Sequence, residues 1–232
     1  GKNEKGELQL EGGWQNNRPM GIHPENRMVE NIFEELDAPG EWYYDKQEGW
    51  LYYYPLSDEN INELVFETPQ LKNLIEIAGT SSHPVKNITI EGIELTQTIR
   101  TFMEHYEPLL RSDWTIYRGG AVIFRGTEKC TLRDCYIHHV GGNGVFFDKY
   151  NRNSAVTGSY LTSIGASAIC FVGDVAGVRS PSFRYGEFVP LDKMDTAKGS
   201  QNDNHPAYCE VYDNLICTIR SEERRVGKEC RS

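Results

Sequence analysis

A degenerate repeat constrains the fold of this chain of 232 residues more than any other feature of its sequence. Four stretches align without gaps: ITIEGIELTQT from Ile88, CTLRDCYIHHV from Cys130, SAVTGSYLTSI from Ser154 and CEVYDNLICTI from Cys209. Each stretch has an apolar residue at its third and eighth positions and a Gly or Asp at its fifth. This pattern predicts two short alternating strands joined by a turn.

The spacing of the repeats predicts a solenoid. Leu132 and Val156, which hold the same position in the second and third stretches, are 24 residues apart, the length of a single coil. The segments AVIFRG, GVFFDK and AICFVG add further strands, and longer spacings elsewhere predict insertions at about residues 99–118 and 174–207. We therefore expect an all-β, right-handed parallel β-helix. A β-sandwich is the alternative, but it gives no reason for residue types to recur at one coil's spacing.

The predicted organisation has three parts. Residues 1–84 form a β-rich segment, and residues 85–220 form the coils with their insertions. Residues 221–232, SEERRVGKECRS, contain seven charged side chains and no alternation. This tail resembles translated vector or adapter sequence, which implies a truncated β-helix and a fragment of a longer protein; a native polar tail is the alternative.

An aromatic stretch, EWYYDKQEGWLYYYP, lies before the coils and has seven aromatic residues between Trp42 and Tyr54. Two alternating strands joined by DKQEG predict a β-hairpin. Because aromatic cross-strand pairs stabilise hairpins, we expect these rings to be structural, with the hairpin packed on the solenoid. Stacking of the rings on sugars is the alternative.

Charge and cysteine content exclude several function classes. The chain has 24 basic and 34 acidic residues, a formal net charge of −10, and its acidic side chains are spread out. This argues against a nucleic-acid or anionic-membrane partner. No apolar run approaches the roughly 20 residues that span a bilayer. The six cysteines show no metal-binding or redox spacing, so we predict neither a metal nor a cofactor.

The repeat also predicts the state of two cysteines. Cys130 and Cys209 hold the same position in their coils, with the Ser154 coil between them. Two strand spacings separate them by roughly 9 to 10 Å, beyond the roughly 7 Å Cα limit for a disulfide. We expect both thiols to be reduced and to serve as small core residues.

At this point the sequence resembles a known protein group. The resemblance is carried by VENIFEELDAPGEWYYDKQEGWLYYYPL, PVKNITIEGIELTQT, RTFMEHYEPLLRSDWTIYRGGAVIF, GASAICFVGD and NDNHPAYCEVYDNLI. These stretches are similar to the bacterial right-handed parallel β-helix proteins close to glycoside hydrolase family 141, over nearly all of residues 25–220. The resemblance implies a secreted or periplasmic bacterial enzyme that acts on plant or host polysaccharide or oligosaccharide. It also implies further coils after this chain, where the catalytic carboxylates of such enzymes are expected.

Glycoside hydrolysis normally needs two carboxylic groups, about 5 to 5.5 Å apart for retention and about 6.5 to 9.5 Å for inversion. The candidate catalytic carboxylates in this chain are Asp148 and Asp174, as a diagonal pair at the ends of two strands. With coils 24 residues long, neither aspartate has an acidic residue at the equivalent position of an adjacent coil. Aligning the coils on Phe124 and Phe147 instead places Arg125 beside Asp148 and predicts a surface ion pair. Ordinary turn or surface carboxylates are the alternative.

The other site candidates lie in the insertions and at a coil corner. His139, in IHHVGGNG, is a candidate acid, base or orienting group, with a plain corner side chain as the alternative. Loops on a rigid scaffold often carry binding groups. The predicted substrate-binding residues are Glu104, Arg111, Asp113, Trp114, Tyr150, Asp203 and His205. Ion pairs within the first loop, and ordinary turn formation before Pro206 in the second, are the alternatives.

Two other function classes stay open at this stage. A non-catalytic carbohydrate-binding or structural β-helix is favoured because no two carboxylates occupy equivalent positions of adjacent coils in the sequence alignment. A polysaccharide lyase or epimerase could use the same architecture, but a lyase would want clustered Asp and Glu residues for calcium and an Arg or Lys base. The sequence shows no such cluster, and the fold alone does not decide among these classes.

Overall fold

Parallel strands that stack coil upon coil make up most of the structure, a computed structural model that describes residues 30–101, 104, 106–108, 115–180 and 188–219. Its strands are β1 (Trp42–Asp45), β2 (Trp50–Tyr53), β3 (Ile75–Ala78), β4 (Val85–Lys86), β5 (Thr89–Glu91), β6 (Glu94–Thr98), β7 (Glu107–Pro108), β8 (Thr115–Ile116), β9 (Val122–Glu128), β10 (Thr131–Arg133), β11 (Tyr136–Val140), β12 (Val145–Arg152), β13 (Ala155–Thr157), β14 (Tyr160–Ile164), β15 (Ile169–Val172), β16 (Pro206–Ala207), β17 (Glu210–Tyr212) and β18 (Leu215–Ile219). Single turns of 3-10 helix occur at Phe33–Glu35, Ile61–Glu63, Val175–Gly177 and Leu191–Lys193. The described part of the chain contains no α-helix.

Three parallel sheets run along the solenoid. Sheet 1 contains β3, β9, β12 and β15, with β4 and β16 at its margins; sheet 2 contains β5, β10, β13 and β17; sheet 3 contains β6, β11, β14 and β18. The chain visits sheets 1, 2 and 3 in turn and then starts the next coil. The predicted all-β parallel β-helix is therefore confirmed.

The register follows the repeat in the sequence. In sheet 2, Leu132 pairs with Ile90 on one side and with Val156 on the other. In sheet 3, Ile137 pairs in the same way with Leu95 and Leu161. The gap-free alignment of the four stretches is therefore the alignment of the coils, and both apolar columns point into the core.

Sheet 1 contributes a stack of phenylalanine rings to the core. Phe147 pairs with Phe124 and with Phe171, and the ring centroids are 4.8 and 4.6 Å apart in nearly parallel planes. Phe124 and Phe147 are fully buried, because the neighbouring coils cover both ring faces. The alignment on the phenylalanines is therefore correct for the first part of β9 and β12, where the spacing is 23 residues. A register shift between Asp148 and Asn151 then restores a spacing of 24 residues, the same as that between β12 and β15.

The turn between sheets 2 and 3 repeats in every coil. Gly92, Asp134, Gly158 and Asp213 all adopt positive φ there, between 53° and 66°. Gly and Asp tolerate this left-handed conformation better than other residues, which explains their recurrence at the fifth position of each stretch. The predicted turn is thus confirmed.

The described cysteines are reduced. Cys130, Cys135, Cys170, Cys209 and Cys217 form no disulfide. The backbone N–H of Cys130 donates to Ser154 Oγ at 3.2 Å, so the Ser154 coil lies between Cys130 and Cys209 as expected. The prediction of reduced thiols at Cys130 and Cys209 is confirmed.

The predicted hairpin is present as β1 and β2, which pair in antiparallel fashion from Trp42 with Tyr53 to Asp45 with Trp50. Its ring contacts are with Phe33 and Phe66, both outside the coil strands. Residues 221–232 lie outside the described residues, and the predicted domain boundaries stay predictions. Within the described residues, no helix is long and apolar enough to cross a membrane.

Candidate functional site

The outer face of sheet 1 is the place where both insertions meet the coils. Side chains alternate along each strand, so Phe124 and Phe147 point inward while Arg125 and Asp148 point outward. On the same outer face, Ile116 from β8 packs against an apolar cluster that includes Phe146. The first insertion therefore covers part of this face.

A buried carboxylate lies at the centre of this face. Asp148 is only 1% exposed, and both of its oxygens accept hydrogen bonds from arginines. Arg118 Nη1 donates to Oδ1 at 2.5 Å, and Arg125 Nε donates to Oδ2 at 2.5 Å. The predicted pairing of Arg125 with Asp148 is confirmed, but the pair is buried at its carboxylate end, whereas we expected a surface pair.

The ion pairs extend beyond Asp148 in two directions. Arg118 donates through Nε and Nη2 to both oxygens of Glu107, at 2.7 and 2.6 Å. Arg125 donates to Glu76 at 3.0 Å. We call these five residues, Glu76, Glu107, Arg118, Arg125 and Asp148, the Asp148 network. It connects the first insertion to sheet 1.

Arg118 also connects the network to the second insertion, because its Nη2 donates to the carbonyl of Gly173 at 3.1 Å. Its hydrogen bonds, first to Glu107 and then to Asp148, raise the pKa of Arg118 above its ordinary value despite partial burial. The guanidinium therefore stays charged at any working pH. With a permanent cation on each side, the Asp148 carboxylate is suited to positioning other groups. Its predicted catalytic role stays a prediction.

Asp174 is at the start of the second insertion and is held differently. Its side chain caps the 3-10 turn Val175–Gly177 by accepting from the N–H of Ala176 at 2.9 Å. Lys149 Nζ lies 3.3 Å from its other oxygen. The Ala176 hydrogen bond, and then Lys149, lower the pKa of Asp174. At neutral pH, Asp174 is therefore ionised and could act as a base or a nucleophile but not as a proton donor.

Asn204 brings two of the predicted site residues together. Its Nδ2 donates to Asp174 Oδ2 at 3.0 Å, while its Oδ1 accepts from the backbone N–H of Tyr150 at 3.1 Å. The Tyr150 hydroxyl donates to Glu128 at 2.8 Å, and this bond raises the pKa of Tyr150. Tyr150 and Asp174 are thus neighbours at the far end of sheet 1.

Asp203 and His205 reach the same end of sheet 1 through their backbones. Arg152 donates to the carbonyl of Asp203 at 2.8 Å and also to the carbonyl of His205. The His205 ring is within hydrogen-bonding distance, 3.2 Å, of the Asn202 carbonyl. Their predicted substrate-binding roles stay predictions.

The first insertion is described only in part. Glu104 forms an ion pair with Lys72 at 2.5 Å. Arg111, Asp113 and Trp114 lie outside the described residues. Sequence reasoning missed the pairing of Glu107 with Arg118 and the contact of Arg118 with Asp148, since nothing in the sequence showed that these residues would meet.

His139 lies on a different sheet from Asp148 and Asp174. The Nδ1 atoms of His139 and His138 are 2.6 Å apart, and His138 Nε2 lies 2.7 Å from Glu94 Oε1. The three predicted catalytic residues are therefore not brought together by the structure. The coil alignment could have found Glu94, because it places Glu94 one coil below Tyr136 and diagonal to His138.

The contact between His138 Nδ1 and His139 Nδ1 joins two ring nitrogens, so one of them donates a hydrogen bond to the other. His138 Nδ1 also lies 3.3 Å from Thr96 Oγ1. The positive φ of His139, 49°, is shared by Gln97, Ser163 and Thr218 in the other coils. It therefore reflects the shape of the coil and is no sign of strain specific to this site.

No group of three or more His, Cys, Asp or Glu residues in the described ranges could hold a metal ion. A cavity of about 440 Å³ occurs at the last described coil, lined mainly by apolar residues such as Phe171, Val211 and Ile216. It opens onto the interior columns of the solenoid and is separate from the Asp148 network, so its lining offers apolar contact rather than acid or base groups.

Comparison with known proteins adds evidence on the fold. The sequence matches no protein-family model, and it matches no curated protein. Among solved structures, a protein described as "Glycoside hydrolase" superposes with a TM-score of 0.61 at 20% sequence identity. The chain shares the fold of part of a glycoside hydrolase. The match covers 83% of this chain and 35% of that protein, so the chain spans about a third of that hydrolase's length.

Proposed function

We propose that this chain belongs to a carbohydrate-active β-helix protein that hydrolyses glycosidic bonds in plant or host polysaccharide. The observation that carries the proposal is the Asp148 network, which holds the first insertion, and Gly173 just before the second insertion, at one face of a rigid sheet. Binding groups on loops need such a scaffold. The fold shared with a glycoside hydrolase supports the same proposal.

The partly exposed groups around the network are the proposed contacts to the glycan. Arg125 and Lys149 are each about two-fifths exposed, and Asp174 is one-fifth exposed. The N–H groups of Arg125 and Lys149 can donate to sugar hydroxyls. Asp148, which lies beneath them, holds Arg125 in place through its Nε. Asp148 is thus a positioning residue in this proposal.

Asp174 is the proposed base or nucleophile, because its ionised oxygens lie at the margin of the same face. The pKa is also lowered in Glu59, Glu128 and Asp195, through hydrogen bonds from Tyr53, Lys86 and Ala197 respectively. None of these carboxyls is suited to donate a proton at neutral pH. The proposed mechanism therefore takes its general acid from another residue.

A second candidate is a β-helix that binds a glycan without cleaving it. One observation favours it: both oxygens of Asp148, the most buried of the predicted catalytic groups, are already paired with arginines. Because Asp148 is also only 1% exposed, a bound glycan does not reach its oxygens. For either candidate, we propose a secreted or periplasmic bacterial protein, since polysaccharide is found outside the cell.

The test is release of reducing sugar from a panel of polysaccharides by the protein and by Asp174→Asn. Asp195→Asn is the matched control, because Asp195 also accepts from a backbone N–H and pairs with a cation, Arg179. We expect Asp174→Asn to lower the rate by roughly 10²-fold or more and Asp195→Asn to leave it nearly unchanged. Equal rates for the two variants would remove Asp174 from the mechanism. Binding of a glycan without any cleavage would establish the second candidate instead.

A further inference from the structure

Both faces of the aromatic hairpin carry exposed rings, and one face carries four aromatic or aliphatic residues side by side. Trp42 is 59% exposed, and Tyr44 and Leu51 are exposed as well. Trp42 pairs across the hairpin with Tyr53, and Tyr44 pairs with Leu51. Because directly opposed residues in an antiparallel pair point to the same side, these four side chains form one patch. We call Trp42, Tyr44, Leu51 and Tyr53 the Trp42 face.

The opposite face of the hairpin holds it in shape. Tyr43 and Tyr52 each pack edge-on against Phe33, with ring centroids 5.2 Å apart in both pairs. Edge-to-face pairs of this type are favourable beyond the area they bury. Tyr43 and Tyr52 therefore stabilise the hairpin, a role that the sequence predicted for the aromatic stretch as a whole.

Two further contacts fix the Trp42 face itself. Asn31 accepts from the N–H of Tyr44 at 2.9 Å and donates to its carbonyl at 3.0 Å, so its amide pairs with the open edge of β1. The Tyr53 hydroxyl donates to Glu59 at 2.7 Å, and its ring packs on Phe66 at 5.4 Å. The patch is therefore a preorganised surface, which lowers the entropic cost of binding a ligand.

The exposed rings of this face contribute little to the described packing. Among the residues that the structure describes, the core clusters consist of residues in the coils and the first insertion, and none comes from the hairpin. Tryptophan is among the residues that are most buried on average, and a contiguous exposed apolar patch usually marks a binding surface. The patch of four neighbouring residues around Trp42 is therefore unexplained by folding alone, whereas the exposed Trp50 lies opposite Asp45 at the turn and forms no such patch.

The chemistry of the face selects the ligand. Flat indole and phenol rings suit the CH face of a pyranose, and residues two apart on a strand present successive rings about 7 Å apart. Carboxylates lie around the hairpin at Asp45, Glu48 and Glu59, and the whole chain has a net charge of −10. This charge disfavours acidic glycans. We propose that the Trp42 face binds neutral pyranose units of a polysaccharide, as a carbohydrate contact separate from the Asp148 network.

The experiment compares Trp42→Ala with Trp50→Ala. Trp50 is the matched control, since it is 65% exposed but points to the opposite side of the same hairpin. Binding of the protein to soluble glucomannan, xyloglucan and polygalacturonate is measured by affinity electrophoresis and calorimetry, with circular dichroism to confirm folding. We expect Trp42→Ala to weaken binding of a neutral polysaccharide about tenfold, which corresponds to about 1.4 kcal/mol. Trp50→Ala should stay within about twofold of the parent.

Several outcomes would overturn the inference. They are the absence of binding to both neutral polymers, a preference for polygalacturonate, and equal losses in the two variants. A dimer seen by analytical ultracentrifugation that Trp42→Ala dissociates would assign the face to a second copy of the chain instead.

The ligand class rests on the proposed function, but the two proposals fail separately. Hydrolysis of a short soluble oligosaccharide should depend on Asp174 and be unaffected by the control substitution Trp50→Ala. If Trp42→Ala loses polymer binding while no substrate is cleaved, the Trp42 face stands and the hydrolase proposal fails. If Asp174→Asn abolishes cleavage while Trp42→Ala binds polymer normally, the hydrolase proposal stands and the Trp42 face fails.

Discussion

Arg118 and Asp148 form an ion pair in which Nη1 and Oδ1 are 2.5 Å apart, and the carboxylate is almost completely buried. Arg118 comes at the end of the first insertion, and Asp148 comes from β12 in the wall of the solenoid. The pair thus holds a loop to a scaffold. Because Arg125 donates to the other oxygen of Asp148, this one carboxylate pairs with two guanidinium groups at once.

Removal of the Asp148 carboxylate should be strongly destabilising. Asp148→Ala would leave two arginines facing a buried position without their shared partner. Loss of one member of a buried ion pair typically costs about 3 to 5 kcal/mol of unfolding free energy. Urea denaturation of the variant, followed by fluorescence and circular dichroism, measures this loss.

The control for this prediction is an exposed ion pair on sheet 2. Glu91 pairs with Arg133 at 2.7 Å, and both side chains are about half exposed. Exposed pairs are screened by water and contribute little. We expect Glu91→Ala to change the midpoint of unfolding only slightly. Similar midpoints for Asp148→Ala and Glu91→Ala would contradict the buried network.

The phenylalanine stack predicts a graded response along the solenoid. Phe147 is covered on both ring faces, so Phe147→Ala should leave a closed cavity and cost about 3 to 5 kcal/mol. Phe171 is 41% exposed, so its truncation should cost clearly less. Both values come from equilibrium denaturation. Equal losses at the two positions would mean that Phe171 is covered in solution.

Alanine substitutions at two glycines with positive φ distinguish the cost of backbone strain from the cost of steric overlap. A Cβ on Gly92 meets no atom within 4 Å, so Gly92→Ala should cost about 1 to 3 kcal/mol from its left-handed conformation alone. A Cβ on Gly126 would overlap the backbone of Gly79 in the adjacent coil. Gly126→Ala should therefore lose more stability than Gly92→Ala, as measured by thermal unfolding. Equal melting temperatures would show that β9 can move away from β3.

The repeat made the coils predictable from the sequence. Leu132 and Val156 share a column because a parallel β-helix places equivalent residues one strand spacing apart, so a periodic sequence determines the register. The fixed turn at Asp134 repeats for the same reason. In sheet 1, a register shift between Asp148 and Asn151 changes the spacing of β9 and β12 from 23 to 24 residues, and only the phenylalanines revealed the shorter spacing.

The candidate site was less predictable because its contacts join residues with no fixed spacing. Arg118 reaches Asp148 across 30 residues, through an insertion that belongs to no repeat. An aperiodic loop has no register from which its partners can be deduced. The hairpin was predictable in its pairing, but its two faces were not equivalent, since Phe33 and Phe66 determine which rings are covered. Those contacts come from outside the strands.

The thiols provide a prediction that depends on pH. Burial raises the pKa of Cys170 to about 11, whereas a hydrogen bond with Thr162 lowers the pKa of Cys217. Only the thiolate reacts with a disulfide reagent. A pH of 8 is about three units below the pKa of Cys170, so this thiol is almost entirely protonated and should be unreactive in the folded protein. Cys217 should react first, because its lowered pKa gives more thiolate at a given pH than an ordinary thiol has.

The measurement is the rate of reaction with dithionitrobenzoate between pH 6.5 and 9, in a Cys230→Ser background because Cys230 lies outside the described residues. Cys217→Ser should remove the fast phase, while Cys170→Ser should leave it intact. In urea, Cys170 becomes exposed and its pKa returns toward that of a free thiol, so its reaction should then become fast. A fast phase that Cys170→Ser removes would contradict the packing of Cys170 against Ile123 and Phe146 on the outer face of sheet 1.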